Sequence, residues 1–125
     1  MSEKRLATRN KLYSTIEVNL YCFGKEVKGR VIDIGATGLS MDCLTRAKWL
    51  QKLLKVDVKV FFDPENPTSS MKVEAKGIVR WIKEKNNQIG IQFTEIDISK
   101  LGECTIYSIN KEQISLNEPN SLYLK

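Results

Sequence analysis

Ile16, Val18, Leu20 and Cys22 alternate with Glu17, Asn19 and Tyr21, and a period of two sends successive side chains to opposite faces of an extended strand. The spacing predicts a first strand with one apolar face. Phe23-Gly24-Lys25-Glu26 supplies a glycine turn, after which Val27 to Ile34 reads as a second strand, antiparallel to the first. Its parity slips. Val27, Gly29 and Val31 hold one phase while Ile32 and Ile34 take the other, which calls for a bulge or for a strand covered on both faces. Gly35-Ala36-Thr37-Gly38 turns the chain into a third short strand, where Leu39, Met41 and Cys43 alternate with Ser40 and Asp42.

From Thr45 to Lys55 the period changes. Ala47, Leu50 and Leu54, flanked by Trp49 and Leu53, recur at helical spacing behind Thr45 as an N-cap, so a short inserted helix is predicted there with Trp49 on its core face. Alternation then returns with Val56, Val58, Val60 and Phe62. The run Asp63-Pro64-Glu65-Asn66-Pro67-Thr68-Ser69-Ser70 is the strongest loop signal in the chain. Met71, Val73, Ala75, Gly77, Val79 and Trp81 form a fifth period-two run, and Ile89, Ile91 and Phe93 a sixth, separated by a turn at Asn86-Asn87. A final helix capped by Asp97 or Ser99 is expected to run to about Asn110, although Gly102 and the β-branched Thr105, Ile106 and Ile109 oppose it. Residues 111–125 read as a polar tail.

Six short strands this close together leave no room for βαβ crossovers, so the pattern implies an antiparallel barrel or sandwich. Closure would hide the strand edges. At 125 residues, 42% of them hydrophobic, the chain is one domain able to bury a core. It has no histidine, which excludes Ser-His-Asp and Cys-His catalysis and any His-ligated metal. Cys22, Cys43 and Cys104 lie far apart without a C-x-x-C pair, a usage that fits a reducing compartment and offers no zinc clip. With neither a signal-peptide pattern at the start nor a run of roughly eighteen apolar residues, a cytoplasmic protein without membrane insertion is expected. No convergent acid, base and nucleophile set can be assembled, so an enzyme is not expected and no cofactor is called for.

The formal charge is +5, and Lys4, Arg5, Arg9 and Lys11 against Glu3 place +3 of it in the leader before the first strand. Such a concentration suits an anion, although charged termini also serve simply to stay solvated. Arg5 and Arg9 stand roughly 13 Å apart on an extended backbone, near enough for two guanidinium forks to converge on one phosphate-bearing ligand and stack on a purine. At the end of the second strand, Asp33-Ile34-Gly35-Ala36-Thr37-Gly38 offers a carboxylate suited to the N1–H and N2 donors of guanine, beside glycines that let a ligand approach the backbone. The alternative is a hairpin turn in which Asp and Gly serve geometry alone.

Together, Arg5-Leu6-Ala7-Thr8-Arg9 fits R-x-x-x-R and Asp33 to Gly38 approximates [D/N]-x-S-x-x-G, with Val79-Arg80-Trp81 and Gly90-Ile91-Gln92-Phe93 following in order. Over about residues 4–110 the chain resembles a PilZ domain. That resemblance implies a mainly β fold, a six-stranded antiparallel barrel with a C-terminal helix, here carrying the inserted helix as well. It divides the chain into a leader (1–12), a barrel domain (13–110) and a tail (111–125). It also implies a receptor for cyclic di-GMP in which Arg5 and Arg9 grip phosphates and guanines while Asp33 and the turn through Gly35 and Gly38 hold a guanine. Lys4, just before the first arginine, occupies the position associated with binding one ligand or a stacked pair. Gly35 stands where the pattern has Ser, which removes a hydroxyl worth roughly 0.5–1.5 kcal/mol as one hydrogen bond. Ligand would order the leader and present it to a protein effector. The competing classes are a small basic barrel for single-stranded nucleic acid, for which the cations cluster too narrowly, and a ligand-independent adaptor.

Overall fold

The computed structural model describes residues 16–66 and 68–123, with side chains as far as residue 111. Six strands, β1 (Glu17–Cys22), β2 (Lys25–Ile34), β3 (Gly38–Cys43), β4 (Lys55–Phe61), β5 (Lys72–Lys83) and β6 (Gln88–Ile96), precede one C-terminal helix, α1 (Ile98–Tyr123). The strands close into an antiparallel barrel in the order β1-β2-β3-β6-β5-β4. Every strand therefore has two hydrogen-bonded neighbours. The alternating positions fill the interior: Val18, Leu20, Met41, Val60 and Val79 are fully buried, and each is flanked by residues that face out.

The parity slip in β2 is a bulge. Val31 pairs with Met41 and Asp33 with Ser40, so Ile32 is the extra residue. In regular alternation Asp33 would share the inward phase of Val27, Gly29 and Val31; bulging at Ile32 turns its carboxylate outward and sends Ile34 back toward the core.

The expected helix over 45–55 is absent. Two isolated turns stand in its place, with Leu50 N donating to Ala47 O at 3.2 Å and Leu54 N to Gln51 O at 3.3 Å. Leu53 takes φ +69° and its N–H donates to Val79 O in β5 at 2.7 Å, while Val79 N returns a bond to Leu54 O at 3.0 Å. A helix would need those backbone groups for itself. Ala47, Trp49, Leu50 and Leu54 instead pack against the core, so the segment plugs one mouth of the barrel. The apolar spacing reported which residues face inward, and irregular turns meet that demand as well as a helix does.

Asp97 caps α1 through Lys100 N, 3.1 Å from its Oδ1. Leu101, Cys104 and Ser108 form the buried stripe, whose packing on the barrel outweighs the poor local propensity of Gly102 and the β-branched residues. The backbone stays helical to Tyr123, through the stretch that reads as a polar tail. No described helix is long and apolar enough to cross a membrane.

A polar clip ties the helix to the β4–β5 loop. The Tyr107 hydroxyl donates to Asp63 Oδ2 at 3.0 Å and Lys111 Nζ to Oδ1 at 3.1 Å. Partial burial raises the Asp63 pKa, but the bonds from Lys111 and Tyr107 and the Lys111 charge outweigh it and leave the carboxyl below its ordinary value. Such a group stabilises the fold fully above its unfolded pKa of about 3.9 and loses that contribution as pH falls through the lower folded value. Asp63→Asn is accordingly expected to cost roughly 1 kcal/mol at neutral pH and nothing in strong acid. Urea unfolding of both proteins at neutral pH and below pH of about 3 checks this; an unchanged difference between the two conditions would remove the clip.

Candidate ligand site on the outer face of β2, β3, β6 and β5

Asp33 sits half-buried one residue before the end of β2, and its Oδ1 accepts the Ile34 backbone N–H at 3.0 Å. Cross-strand register carries a single outward row from it: Asp33 opposite Ser40, Ser40 opposite Gly90, Gly90 opposite Trp81. Trp81 reaches this face through a second irregularity. Val79 pairs with Ile91 and Trp81 with Gly90, so Arg80 is extra in β5. The period-two run places Trp81 in the core with Val79; the bulge lays its indole over Gly90 instead, where a Cβ would lie 2.1 Å from the ring Nε1. Lys83 Nζ stands 5.3 Å from the ring centroid, a cation–π contact. Beside the ring, Arg80 Nε donates to Gln92 Oε1.

Thr37, Gly38, Arg80, Trp81, Gly90 and Gln92 line a shallow depression of about 360 Å³. It combines a π-face, a guanidinium and amide groups, with the Asp33 carboxylate farther along the row. That set can stack a purine, hold a phosphate and accept from a nucleobase edge. Arg80, Trp81 and Gln92 were visible in the sequence only as parts of strand elements. Parity alone points Arg80 and Gln92 outward, whereas nothing in the spacing reveals the bulge that exposes Trp81.

The two turn glycines differ in what they do. Gly38 opposes Gln92 where β3 crosses β6, and a Cβ there would sit 2.2 Å from Ile91 O. Only a hydrogen fits. Thr37 O accepts Phe93 N at 2.8 Å on the same crossing, and Gly35 N closes the turn on Gly38 O at 2.9 Å. Gly35 itself lies outside the left-handed region with open space where a Cβ would go, so a serine is sterically welcome. Lys4, Arg5 and Arg9 lie outside the described residues.

A second, larger groove among the described residues, about 610 Å³, lies across β4, β5 and the end of β6 and suits a phosphate ligand poorly. Asp57, Glu74, Glu95 and Asp97 outnumber Lys59 and Lys76 along it. Tyr21 opens on this groove among those carboxylates, an acidic setting that repels a polyanion. The cysteines supply no nucleophile either. All three are buried, and burial, with the Asp42 charge second, pushes the Cys43 thiol up to about 11, which keeps it protonated at neutral pH.

The model of the PilZ domain family matches residues 3–106. Two solved structures share the fold. The Bacillus subtilis inhibitor of motility MotI/DgrA superposes with a TM-score of 0.57 at 17% identity, covering 78% of this chain and 47% of that one. The PilZ domain with c-di-GMP of YcgR from Escherichia coli superposes with a TM-score of 0.57 at 12% identity, covering 82% and 87% respectively. The chain thus spans about half the length of MotI/DgrA. No curated protein matches it significantly.

The contrast between the glycines is testable without ligand. Gly38→Ala is expected to lower stability by about 1–3 kcal/mol through overpacking against β6, while Gly35→Ser leaves the melting temperature nearly unchanged. Thermal melts of the two variants beside the parent decide it, and equal behaviour would refute the steric assignment.

Proposed function

The chain belongs to the PilZ domain family, and we propose that it is a cyclic di-GMP receptor whose site combines Arg5 and Arg9 of the leader with the outward row from Asp33 to Trp81. PilZ domains are cyclic di-GMP-binding and adaptor domains, generally without enzymatic activity. The observation that carries the proposal is the bulge at Ile32, which presents Asp33 on the same outer face as Trp81 and Arg80. A carboxylate held there accepts from guanine N1–H and N2, the indole offers a stacking surface, and the cations meet the phosphates.

The leader supplies the remaining charge. R-x-x-x-R falls inside the residues matched by the family model, and two guanidinium forks from one short segment can bracket a cyclic dinucleotide. Lys4 adds a cation for the further phosphates of a stacked pair. Closing the segment over ligand costs about 1–2 kcal/mol of backbone entropy per residue ordered, which several charge-assisted bonds and stacking offset. The product is a newly fixed surface beside Asp33 for a protein effector to recognise.

Calorimetric titration with cyclic di-GMP, with GTP and GMP as controls, tests the site. Arg5→Ala, Arg9→Ala and Asp33→Ala are each expected to weaken binding ten- to a hundredfold, about 1.5–3 kcal/mol for one charge-assisted bond. Gly35→Ser, sterically allowed, is expected to tighten it about two- to tenfold by restoring the hydroxyl. Wild-type affinity in all three alanine variants would sink the assignment.

Hydrogen exchange over residues 3–12, with and without saturating cyclic di-GMP, tests the ordering step. Slowed exchange in the complex is expected. Equal, fast exchange in both states would leave a receptor whose leader carries no signal.

A further inference from the structure

The barrel end farthest from Asp33 combines exposed apolar side chains with a dense set of cations. Three connections meet there: the β1–β2 turn, the plug between β3 and β4, and the β5–β6 turn. Hydrogen bonds tie them into one surface. Leu44 N donates to Lys28 O at 2.9 Å, Cys43 N to Asn87 O at 2.9 Å, and Arg46 Nη2 to Glu84 O at 3.5 Å. Phe23 is 94% exposed, Leu53 68% and Leu44 58%. They account for half of the large exposed hydrophobics among the described residues, the others lying on α1.

Backbone conformation makes two of these choices unexpected. Phe23 and Gly24 take φ +50° and +79°, the signature of a type I′ turn, where Asn-Gly is the favoured pair. Leu53 takes φ +69°. The third non-glycine residue with positive φ among the described residues, Asn87 at +55°, has the side chain such a position favours. At Phe23 and Leu53, then, a bulky apolar group stands exposed to water where local geometry asks for Asn or Gly. Neither stability nor solubility accounts for that.

Charge surrounds the apolar groups. The β1–β2 hairpin contributes Lys25 and Lys28 against Glu26, and the plug with its junction contributes Arg46, Lys48, Lys52 and Lys55 with no acid. The β5–β6 turn contributes Lys83 and Lys85 against Glu84. All are exposed. These connections together carry +6, more than the +5 of the whole chain. Asp42, at the margin, is engaged by Gln88 Nε2 at 2.8 Å.

We propose that this barrel end docks on an anionic lipid surface, with Phe23, Leu44 and Leu53 entering the interface and the surrounding lysines and Arg46 meeting the headgroups. Exposed bulky apolar groups among long cationic side chains match a boundary with hydrocarbon below and anionic oxygens above, and the lysine stems extend along the apolar surface while their ammonium groups stay with the headgroups. β2 runs from Lys25 at this end to Ile34 at the other, about 30 Å, so the Asp33 end points away from the bilayer. The docking is independent of any bound nucleotide.

The whole chain is sedimented with vesicles of phosphatidylcholine containing roughly a third phosphatidylglycerol, and with phosphatidylcholine alone. Partitioning onto the anionic vesicles only, weakened by salt, is expected. The double variant Phe23→Asn/Leu53→Asn puts the locally favoured residue at both positive-φ positions, so its melting temperature should hold or rise while partitioning falls ten- to a hundredfold. Should that variant melt early, Lys48→Glu/Lys52→Glu carries the test with the same expected loss. Absence of wild-type protein from the anionic pellet overturns the proposal. So does equal sedimentation of wild type and a folded variant, which would assign binding to the basic leader. Retention on polyglutamate that depends on Phe23 and Leu53, without vesicle binding, overturns it in favour of an acidic protein partner.

Discussion

Closure of the barrel is the constraint from which the rest of the structure follows. With both edges of every strand paired, side-chain facing is settled by parity, and an extra residue is the means of changing it without breaking the ladder. The chain uses that device in β6, where Thr94 is the extra residue, and in β2 and β5, the two bulges that furnish the outer face. At the latter two the residue turned outward, Asp33 or Trp81, is one whose chemistry the interior would not use well: a carboxylate costs heavily inside a core of Val, Leu and Met, and an indole N–H would need a buried partner. The bulges thus satisfy the core and furnish the outer face by the same local act.

Close approach of β3 to β6 sets the shape of that face. Gly38 and Gly90 are the positions where a side chain would collide with the neighbouring backbone or with Trp81, so the row between Asp33 and the indole is low and open. Gly38 therefore has a structural reason to be glycine quite apart from any ligand, whereas no steric demand explains Gly35. A motif can join residues with unlike reasons for being there.

The strands were legible because half-buried extended segments leave a period of two, and the parity slip after Val31 already marked the bulge beside Asp33. The 45–55 segment was misread because periodicity reports facing and not conformation: Ala47, Leu50 and Leu54 do face inward, but through two isolated turns, with the Leu53 N–H and the Leu54 carbonyl bonded to Val79 of β5. The outward turn of Trp81 went unread for a related reason. A large aromatic in phase with Val79 looks like core, and a bulge at a polar Arg80 leaves no mark in the alternation. The arginines of the leader were read from a family pattern together with residue chemistry, and the described structure neither positions them nor bears on their role.

A closed barrel also limits where a signal can originate. No strand edge is open to receive or release a partner strand, and the interior is filled by close-packed side chains that resist graded deformation. Among the described residues, two parts outside the ladder remain: the plug across one mouth, and α1, held to the β4–β5 loop through Asp63. β1 begins toward the Asp33 end, with Glu17 opposite Arg30, whereas the plug closes the opposite mouth with Phe23, Leu44 and Leu53 around it. If ligand acts at the first and lipid at the second, the barrel between them serves as a rigid spacer that holds an effector surface at a fixed height above a membrane. Coupling between the ends would require a second packing of the core.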